Sequence, residues 1–300
     1  MATEYGRVLI VGANGQVGTE LRRTLAPLGT IVGVDRGEFD LADESAIRAL
    51  LRRERPALVV NAAAYTAVDK AESEPDAAYA VNARAPAVLA QEAAALGAWL
   101  IHYSTDYVYA GDKTGPYVET DPTGPLGVYG ASKLAGDAAI AAVGGQHLVL
   151  RTSWVYGAHG GNFVKTMIRL ARERETLSVV ADQFGAPTSA RQIAEITAQI
   201  ARQLPEDDDS ALSGVYHLQG GGEASWHEFA VAVIEQLREA DAPSVRCREI
   251  KAIPTSAYPT PAKRPANSRL DCAKLQQAFG VTLAGWRAEL ADRFAEILAA

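Results

Sequence analysis

Short apolar runs alternate along this chain with longer stretches in which apolar residues recur every three to four positions. Arg7 to Val11 (RVLIV) reads as a buried parallel strand, and Val17, Leu21, Leu25 and Leu28 behind it mark one face of a helix. The pattern then repeats. Strand TIVGVD ends at Asp35 and strand ALVVN at Asn61; helix ARAPAVLAQEAAAL precedes strand WLIHYS, and helix YGASKLAGDAAIAAV precedes strand HLVLRTSWVY. Such alternation predicts an α/β fold, a doubly wound parallel sheet with helices on both faces. Ligands of such sheets sit beyond the carboxyl ends of the strands. The segments Asn61 to Thr66, Tyr103 to Asp106 and Thr152 to Tyr156 lie at those ends and converge on one crevice.

After residue 156 the alternation weakens. Gly/Pro-rich segments (GAHGGN, DQFGAPT, PTSAYPTPAKRPANS) separate helices expected at about 163–174, 188–203, 225–239 and 285–298. The pattern divides the chain into a dinucleotide-binding domain with the catalytic residues, 1–156, and a smaller lobe, 157–300, mainly substrate-binding and woven so that some segments return to the first domain. The proline-rich stretch 253–268 is long for a plain connection. Arg264 and Arg269, in or beside it, suit an anion contact, with solvated surface arginines as the alternative.

Gly12, Gly15 and Gly18 follow the first strand at once, in VGANGQVG. Strand, glycine turn and helix form the context of a dinucleotide site of Rossmann type. The glycines allow a tight turn, and the helix N-terminus offers free amides to a pyrophosphate. The spacing is Gly-x-x-Gly-x-x-Gly rather than the commoner Gly-x-Gly-x-x-Gly. Asp35, about 20 residues past the turn, is placed to bind an adenosine ribose and repel a 2′-phosphate. Arg36 offsets that repulsion, so the cofactor is expected to be NADPH or NADH. Asp40 and Leu41 fall near the adenine edge; for DLAD the plainer reading is a helix start capped by Asp40 or Asp43.

Tyr129 and Lys133, in YGASK, stand one helical turn apart on one face, 24 positions after Thr105 in YSTDY. A lysine ammonium beside a phenol lowers the phenol pKa, which makes Tyr129 a candidate acid or base.

Composition narrows the class. The chain has 300 residues, 48% hydrophobic and 22% charged, as in a globular protein. A net charge of −7 and the lack of a Lys/Arg cluster argue against nucleic-acid binding. Cys247 and Cys272 form no disulfide framework or metal pattern, and the five histidines are scattered. No segment is long enough to span a membrane, and MATEYGRVLIVG does not read as a signal peptide, because its apolar run is the first strand. A cytoplasmic location with free thiols follows as the expectation. The acidic run Glu206 to Ser210 reads as a surface loop.

Nine segments carry a family resemblance: GANGQVG, VVNAAAYTAVDKAESEP, HYSTDYVY, YGASKLAGD, LRTSWVYG, NFVKTM, LSVVADQFGAPTSA, VYHLQGGGEASWHEFA and AIPTSAYPTPAKRPANSRLD. Together with the first strand they span residues 7 to 271. The chain resembles the extended short-chain dehydrogenase/reductase superfamily, and within it the branch of dTDP-4-dehydrorhamnose reductases. The resemblance implies hydride transfer from reduced nicotinamide to C4 of a dTDP-4-dehydro sugar, with Tyr129 as proton donor, Lys133 holding the nicotinamide ribose and tuning Tyr129, and Thr105 assisting. It places Gly12, Asn14, Gly15, Gln16, Val17 and Gly18 at the pyrophosphate, Asp35, Asp40 and Leu41 at the adenosine, and Ala63, Ala64, Tyr65 and Thr66 along the cofactor. Tyr65 stands where some relatives carry histidine, a change that backbone contacts would tolerate. Tyr103 is expected between cofactor and sugar nucleotide, with Thr105, Asp106 and Trp154 toward the substrate. Asn162, Gln183, Pro187 and Arg264 are candidates for the nucleotide end.

Some relatives dimerise through magnesium held by carboxylates. Glu20 suits that role here, but Arg191 and Arg287 stand where further acids would be needed, so no metal is expected and a homodimer stays open. Alternative readings are a sugar-nucleotide 4-epimerase, which uses the same tyrosine and lysine, and a non-catalytic regulatory subunit on this fold. A 4,6-dehydratase fits less well, because Asp106 is followed by Tyr107 rather than by a second acid.

Overall fold

The computed structural model describes residues 5–205 and 210–300. The acidic run, apart from the main chain of Ser210, lies outside the described residues. The principal strands are β1 (Arg7–Val11), β2 (Thr30–Val34), β3 (Leu58–Asn61), β4 (Trp99–Thr105), β5 (His147–Thr152), β6 (Thr176–Val180), β7 (Gly214–His217) and β8 (Glu249–Ile253). The principal helices are α1 (Gln16–Leu25), α2 (Glu44–Glu54), α3 (Ala85–Leu96), α4 (Val128–Val143), α5 (Phe163–Glu173), α6 (Ala190–Ala201), α7 (Trp226–Asp241) and α8 (Trp286–Ala299).

Six strands form one parallel sheet in the order β7-β5-β4-β3-β1-β2. Residues of β1 alternate between its faces, as a strand requires. Val8 and Ile10 join Leu21, Leu25, Ile193 and Ile200 of α1 and α6. Leu9 and Val11 join Leu50 and Leu89 of α2 and α3 on the other side. A sheet covered on both faces explains why β3 and β4 are buried along their whole length. The fold is the expected doubly wound, Rossmann-like one. The strand order reverses between β1 and β3, and that switch point opens the crevice in which such folds bind ligands.

A third core lies among α5, α7 and α8, where Met167, Ile168, Phe229, Val233, Leu290 and Phe294 pack together. β6 and β8 pair in parallel beside it. Two late segments belong to the first body instead. α6 covers α1 with Ile193 and Ile200, and β7 extends the large sheet along β5.

The run HLVLRTSWVY is not one strand. β5 stops at Thr152, Trp154 adopts a left-handed φ of 48°, and Val155–Tyr156 pair with Thr188–Ser189 in a separate ladder. A left-handed tryptophan turns the chain out of the sheet, at the backbone cost expected of a bulky residue in that region. Of the two proposed caps, Asp43 caps α2 by accepting from the amides of Ser45 and Ala46, while Asp40 accepts from the amide of Ala42 within the preceding turn.

Candidate active site

The glycine turn is shaped by close approach. Gly12 has φ 80°, and a Cβ there would lie 2.8 Å from the Ala63 nitrogen. A Cβ on Gly18 would fall 2.0 Å from the Gly12 carbonyl oxygen. Both positions therefore exclude a side chain, and α1 can begin directly under the turn. Gly15 caps α1 with no side-chain hydrogen bond, so its first amides face the crevice unfilled by protein side chains.

That crevice is a cleft of about 420 Å³. Gly12, Gly15, Gln16, Val17, Asp35, Asp40, Leu41, Ala63, Ala64, Thr66, Tyr103, Tyr129 and Lys133 all border it. Gly18 lies buried beneath the turn. The Asn14 amide donates to Asp35 Oδ2 at 2.8 Å and the Arg36 amide to Oδ1 at 2.6 Å, so the turn and the end of β2 are tied through one carboxylate. The Tyr65 side chain turns aside to Glu74, its hydroxyl donating at 2.7 Å. The Tyr65 amide donates to Asn82, which leaves the phenol no part in the cleft wall.

Tyr129 and Lys133 project from α4 toward the end of β4. A π-helical turn over Ala80–Arg84 holds α4 in place. There Asn82 donates to Ser132 Oγ at 3.0 Å, and its carbonyl fits where a Cβ on Gly136 would be only 2.1 Å away. Thr105 donates to Asp106 Oδ1 at 3.0 Å and accepts from the Tyr107 amide. The Tyr107 ring meets Tyr129 edge to face at 5.5 Å.

One electrostatic expectation is reversed. Burial pushes the Tyr129 phenol up to about 12, and the hydrogen bond with Thr105 only partly offsets it. Lys133 does not lower it, because its amino group is engaged elsewhere: Nζ lies 2.6 Å from the Tyr103 carbonyl oxygen and 3.0 Å from His102 Nε2. Burial brings Lys133 itself down to about 8. Tyr129 thus keeps its proton at neutral pH, the state a proton donor needs. Burial also lifts Asp106 to about 6, with hydrogen bonds to Ser268 and Thr105 opposing. Tyr103 borders the cleft, yet its hydroxyl is taken by Thr197 at 2.6 Å.

The candidates for the substrate side do not border this cleft, and each is held by another protein group. The Trp154 indole stacks on Trp226 at 3.6 Å and lies against Gly185, where a Cβ would come within 2.8 Å of the ring. Asn162 caps α5 and donates to Gln16 at 3.0 Å across to the glycine turn. Gln183 donates to Thr255 at 3.1 Å. Pro187 is buried, with its carbonyl pressed on Gly220. Arg264 makes a two-pronged ion pair with Asp69, at 3.0 and 2.9 Å. Arg269 is held by Asn267 and Glu223.

Glu20, His159 and Glu296 bring ligand-type atoms within 4.8 Å of one another. Arg191 lies between the two acids, 2.6 Å from Glu20 and 2.8 Å from Glu296, and neutralises them as a cation would.

Two buried groups at the site carry no signal of spacing. His102, fully buried in β4, contacts Lys133 and Asn61. Asp137, one turn beyond Lys133, pairs with Arg151 of β5 at 3.2 Å. A histidine inside an otherwise apolar strand was the available hint for the first.

The chain matches the family described as RmlD substrate binding domain over residues 6–299. It is 50% identical to the dTDP-4-dehydrorhamnose reductase of Burkholderia thailandensis, over 94% of this chain and 95% of that protein. It is 48% identical to the enzyme of the same name from Escherichia coli K12, covering 93% and 94%. Among solved structures, the dTDP-4-dehydrorhamnose reductase of Bacillus anthracis in complex with NADP superposes with a TM-score of 0.88 at 34% identity, over 97% of this chain and 99% of that one. The chain belongs to the RmlD family.

Proposed function

We propose that this RmlD-family chain reduces the C4 ketone of dTDP-4-dehydro-6-deoxy-L-mannose to dTDP-L-rhamnose, using NADPH or NADH. The observation that carries this reading is that Tyr129 and Lys133 border a cleft built by a glycine turn, with the Tyr129 phenol hydrogen-bonded to Thr105 behind it. The cleft fits a dinucleotide on its own terms, since its floor at Gly12 and Gly18 has no room for a Cβ and its helix end has no side-chain cap. Gly12 to Gly18 would receive the pyrophosphate, Asp35, Asp40 and Leu41 the adenosine, and Ala63, Ala64 and Lys133 the nicotinamide half. The bound cofactor supplies the hydride.

The residues then act on protons and position. The Tyr129 phenol, raised by burial, is protonated at neutral pH and gives its proton to the oxygen that becomes the C4 hydroxyl. Thr105, fixed by Asp106 and the Tyr107 amide, hydrogen-bonds the Tyr129 phenol and holds it in place for that transfer. Lys133 orients the cofactor from below. Proton donation of this kind contributes about 10²–10⁴ in rate. Residues 1–156 carry this machinery, and Trp154 at their end joins Asn162, Gln183, Pro187 and Arg264 of the later segments as substrate contacts. No described helix is long and apolar enough to cross a membrane. Both cysteines are free, and we place the protein in the cytoplasm.

The test is loss of reduced-nicotinamide absorbance with dTDP-4-dehydro-6-deoxy-L-mannose, run with each cofactor. Turnover to dTDP-L-rhamnose supports the reading. Folded protein that binds cofactor but turns over with neither would move the assignment to an epimerase or a regulatory subunit.

A further inference from the structure

A chain of buried polar groups runs behind the cofactor-facing lysine. The Ala63 amide donates to Asn61 Oδ1 at 3.2 Å. This fixes which end of the Asn61 amide faces inward, because a backbone N–H can only donate. Asn61 Nδ2 therefore points at His102 Nδ1, 3.0 Å away, and donates to it. His102 is fully buried, and burial alone drives it below the usual imidazole range, so it is neutral. A neutral imidazole carries one N–H. With Nδ1 accepting, that proton sits on Nε2, which faces Lys133 Nζ at 3.0 Å.

Two donors cannot face each other at that distance without cost. The arrangement is satisfied when Lys133 is an amine, accepting from Nε2–H while donating to the Tyr103 carbonyl at 2.6 Å. A charged Lys133 requires the other tautomer, with Nδ1 protonated and Nε2 accepting. Asn61 must then turn its oxygen to His102 and release the Ala63 amide, which borders the cofactor cleft.

We propose that His102, oriented by Asn61, is a positioning residue that governs whether Lys133 carries its proton and couples that proton to the backbone lining the cofactor cleft. Other groups around Lys133 do not supply this control. Asp137 on the same helix favours the ammonium, but its carboxylate is shared with Arg151 of β5. The Tyr103 carbonyl accepts from amine and ammonium alike, and the Tyr129 phenol is held neutral by burial. Only the imidazole changes from donor to acceptor. The burial that brings Lys133 to about 8 puts the switch within reach of working pH.

The inference rests on the cofactor reading of the cleft, and its tests need no sugar substrate. The first is nitrogen NMR of histidine-labelled protein across pH 6–10. The His102 proton is expected to move from Nδ1 to Nε2 in one step as pH rises through the lysine titration. A tautomer that stays fixed over the whole range would overturn the proposal. The second is NADPH affinity against pH in Asn61→Asp and His102→Gln, with thermal melts to confirm folding. The aspartate of the first variant would accept from both the Ala63 amide and Nδ1–H and so leave Nε2 free to accept from the ammonium. The glutamine of the second would offer an amide oxygen at the point where Nε2 now stands. In both variants the alkaline loss of affinity is expected to move up by about one pH unit, a tenfold change in the lysine equilibrium. An unmoved limb in both folded variants would refute the coupling. Asn61→Asp also adds a buried negative charge that favours the ammonium through space, so a shift confined to that variant and absent from the uncharged His102→Gln would likewise refute the coupling. Absence of any NADPH binding counts against the cofactor reading instead, and the tautomer measurement still judges the switch.

Discussion

The two walls of the crevice are built differently. On the strand-end wall, contributed by residues before 157, the candidate groups face open space. The first turn of α1 presents amides with no side-chain cap, and Tyr129 and Lys133 border the cleft. On the later wall the candidates stand outside the cleft lining and are occupied by other groups: Arg264 by Asp69, Gln183 by Thr255, Asn162 by Gln16, and Trp154 by Trp226. The first wall is preorganised, so a ligand meets its donors without rearrangement. The second offers groups that already hold protein partners, and the pairs Arg264–Asp69 and Asn162–Gln16 tie late segments to early ones.

Lys133→Ala breaks the first wall most severely. It removes the cofactor contact and leaves His102 Nε2 and the Tyr103 carbonyl without a partner in a buried site. Turnover is expected to fall by more than about 10², and NADPH affinity by about tenfold or more, read by steady-state kinetics and calorimetry. Unchanged affinity would leave the lysine with an electrostatic role alone.

Arg264 tests the second wall. If the arginine leaves Asp69 for the substrate diphosphate, Arg264→Ala raises KM by roughly 10- to 100-fold, the worth of about 1.5–3 kcal/mol for hydrogen bonds to a charged group. Asp69→Asn, which frees the arginine, then lowers KM. Equal losses of Tm in both variants with unchanged KM would make the pair a structural tie between the bodies.

Gly18→Ala probes the packing under the turn. Its methyl would fall 2.0 Å from the Gly12 carbonyl oxygen, and neither backbone segment yields cheaply. The expected cost is about 1–3 kcal/mol in stability, with roughly tenfold weaker NADPH binding. The same substitution at Gly97, where no atom lies within 4 Å of the added Cβ but φ is 67°, serves as a control for backbone strain without crowding.

The last effect is electrostatic and is confined to one pH window. Asp106 is raised from its ordinary value to about 6, so the unfolded chain gives up this proton before the folded one does. Its contribution to stability is therefore complete below about pH 4 and is lost as pH rises through about 6. In thermal melts from pH 4 to 7, Asp106→Asn should flatten the decline by about 2–3 kcal/mol at most. Parallel melting curves for the two proteins would contradict the raised carboxyl.

How much of this was legible follows the same division. Gly12, Gly15 and Gly18, and the Tyr129–Lys133 pair, are local patterns whose geometry follows from one turn or one helix. The alternation of strands and helices in the first half likewise specified the sheet. Contacts between distant segments left no such trace. Nothing in the spacing announces that Asn61, His102 and Lys133 meet, or that Asn82 would brace α4 through a π-helical turn. The phenol pKa was misjudged for the same reason, since helical spacing placed Lys133 near Tyr129 but could not show that β4 claims its amino group. The left-handed Trp154 ended a strand that its apolar neighbours, read alone, would have continued. β7 joined the sheet from a part of the chain where the alternation had faded.

The most direct test of the account is Tyr129→Phe, measured side by side for NADPH binding and for reduction of dTDP-4-dehydro-6-deoxy-L-mannose. The variant should bind NADPH with unchanged affinity and lose at least about 10²-fold in kcat, because only the proton donor is gone. Activity close to that of the unaltered protein would contradict the assignment of Tyr129 and, with it, the reading of the cleft as the reducing centre.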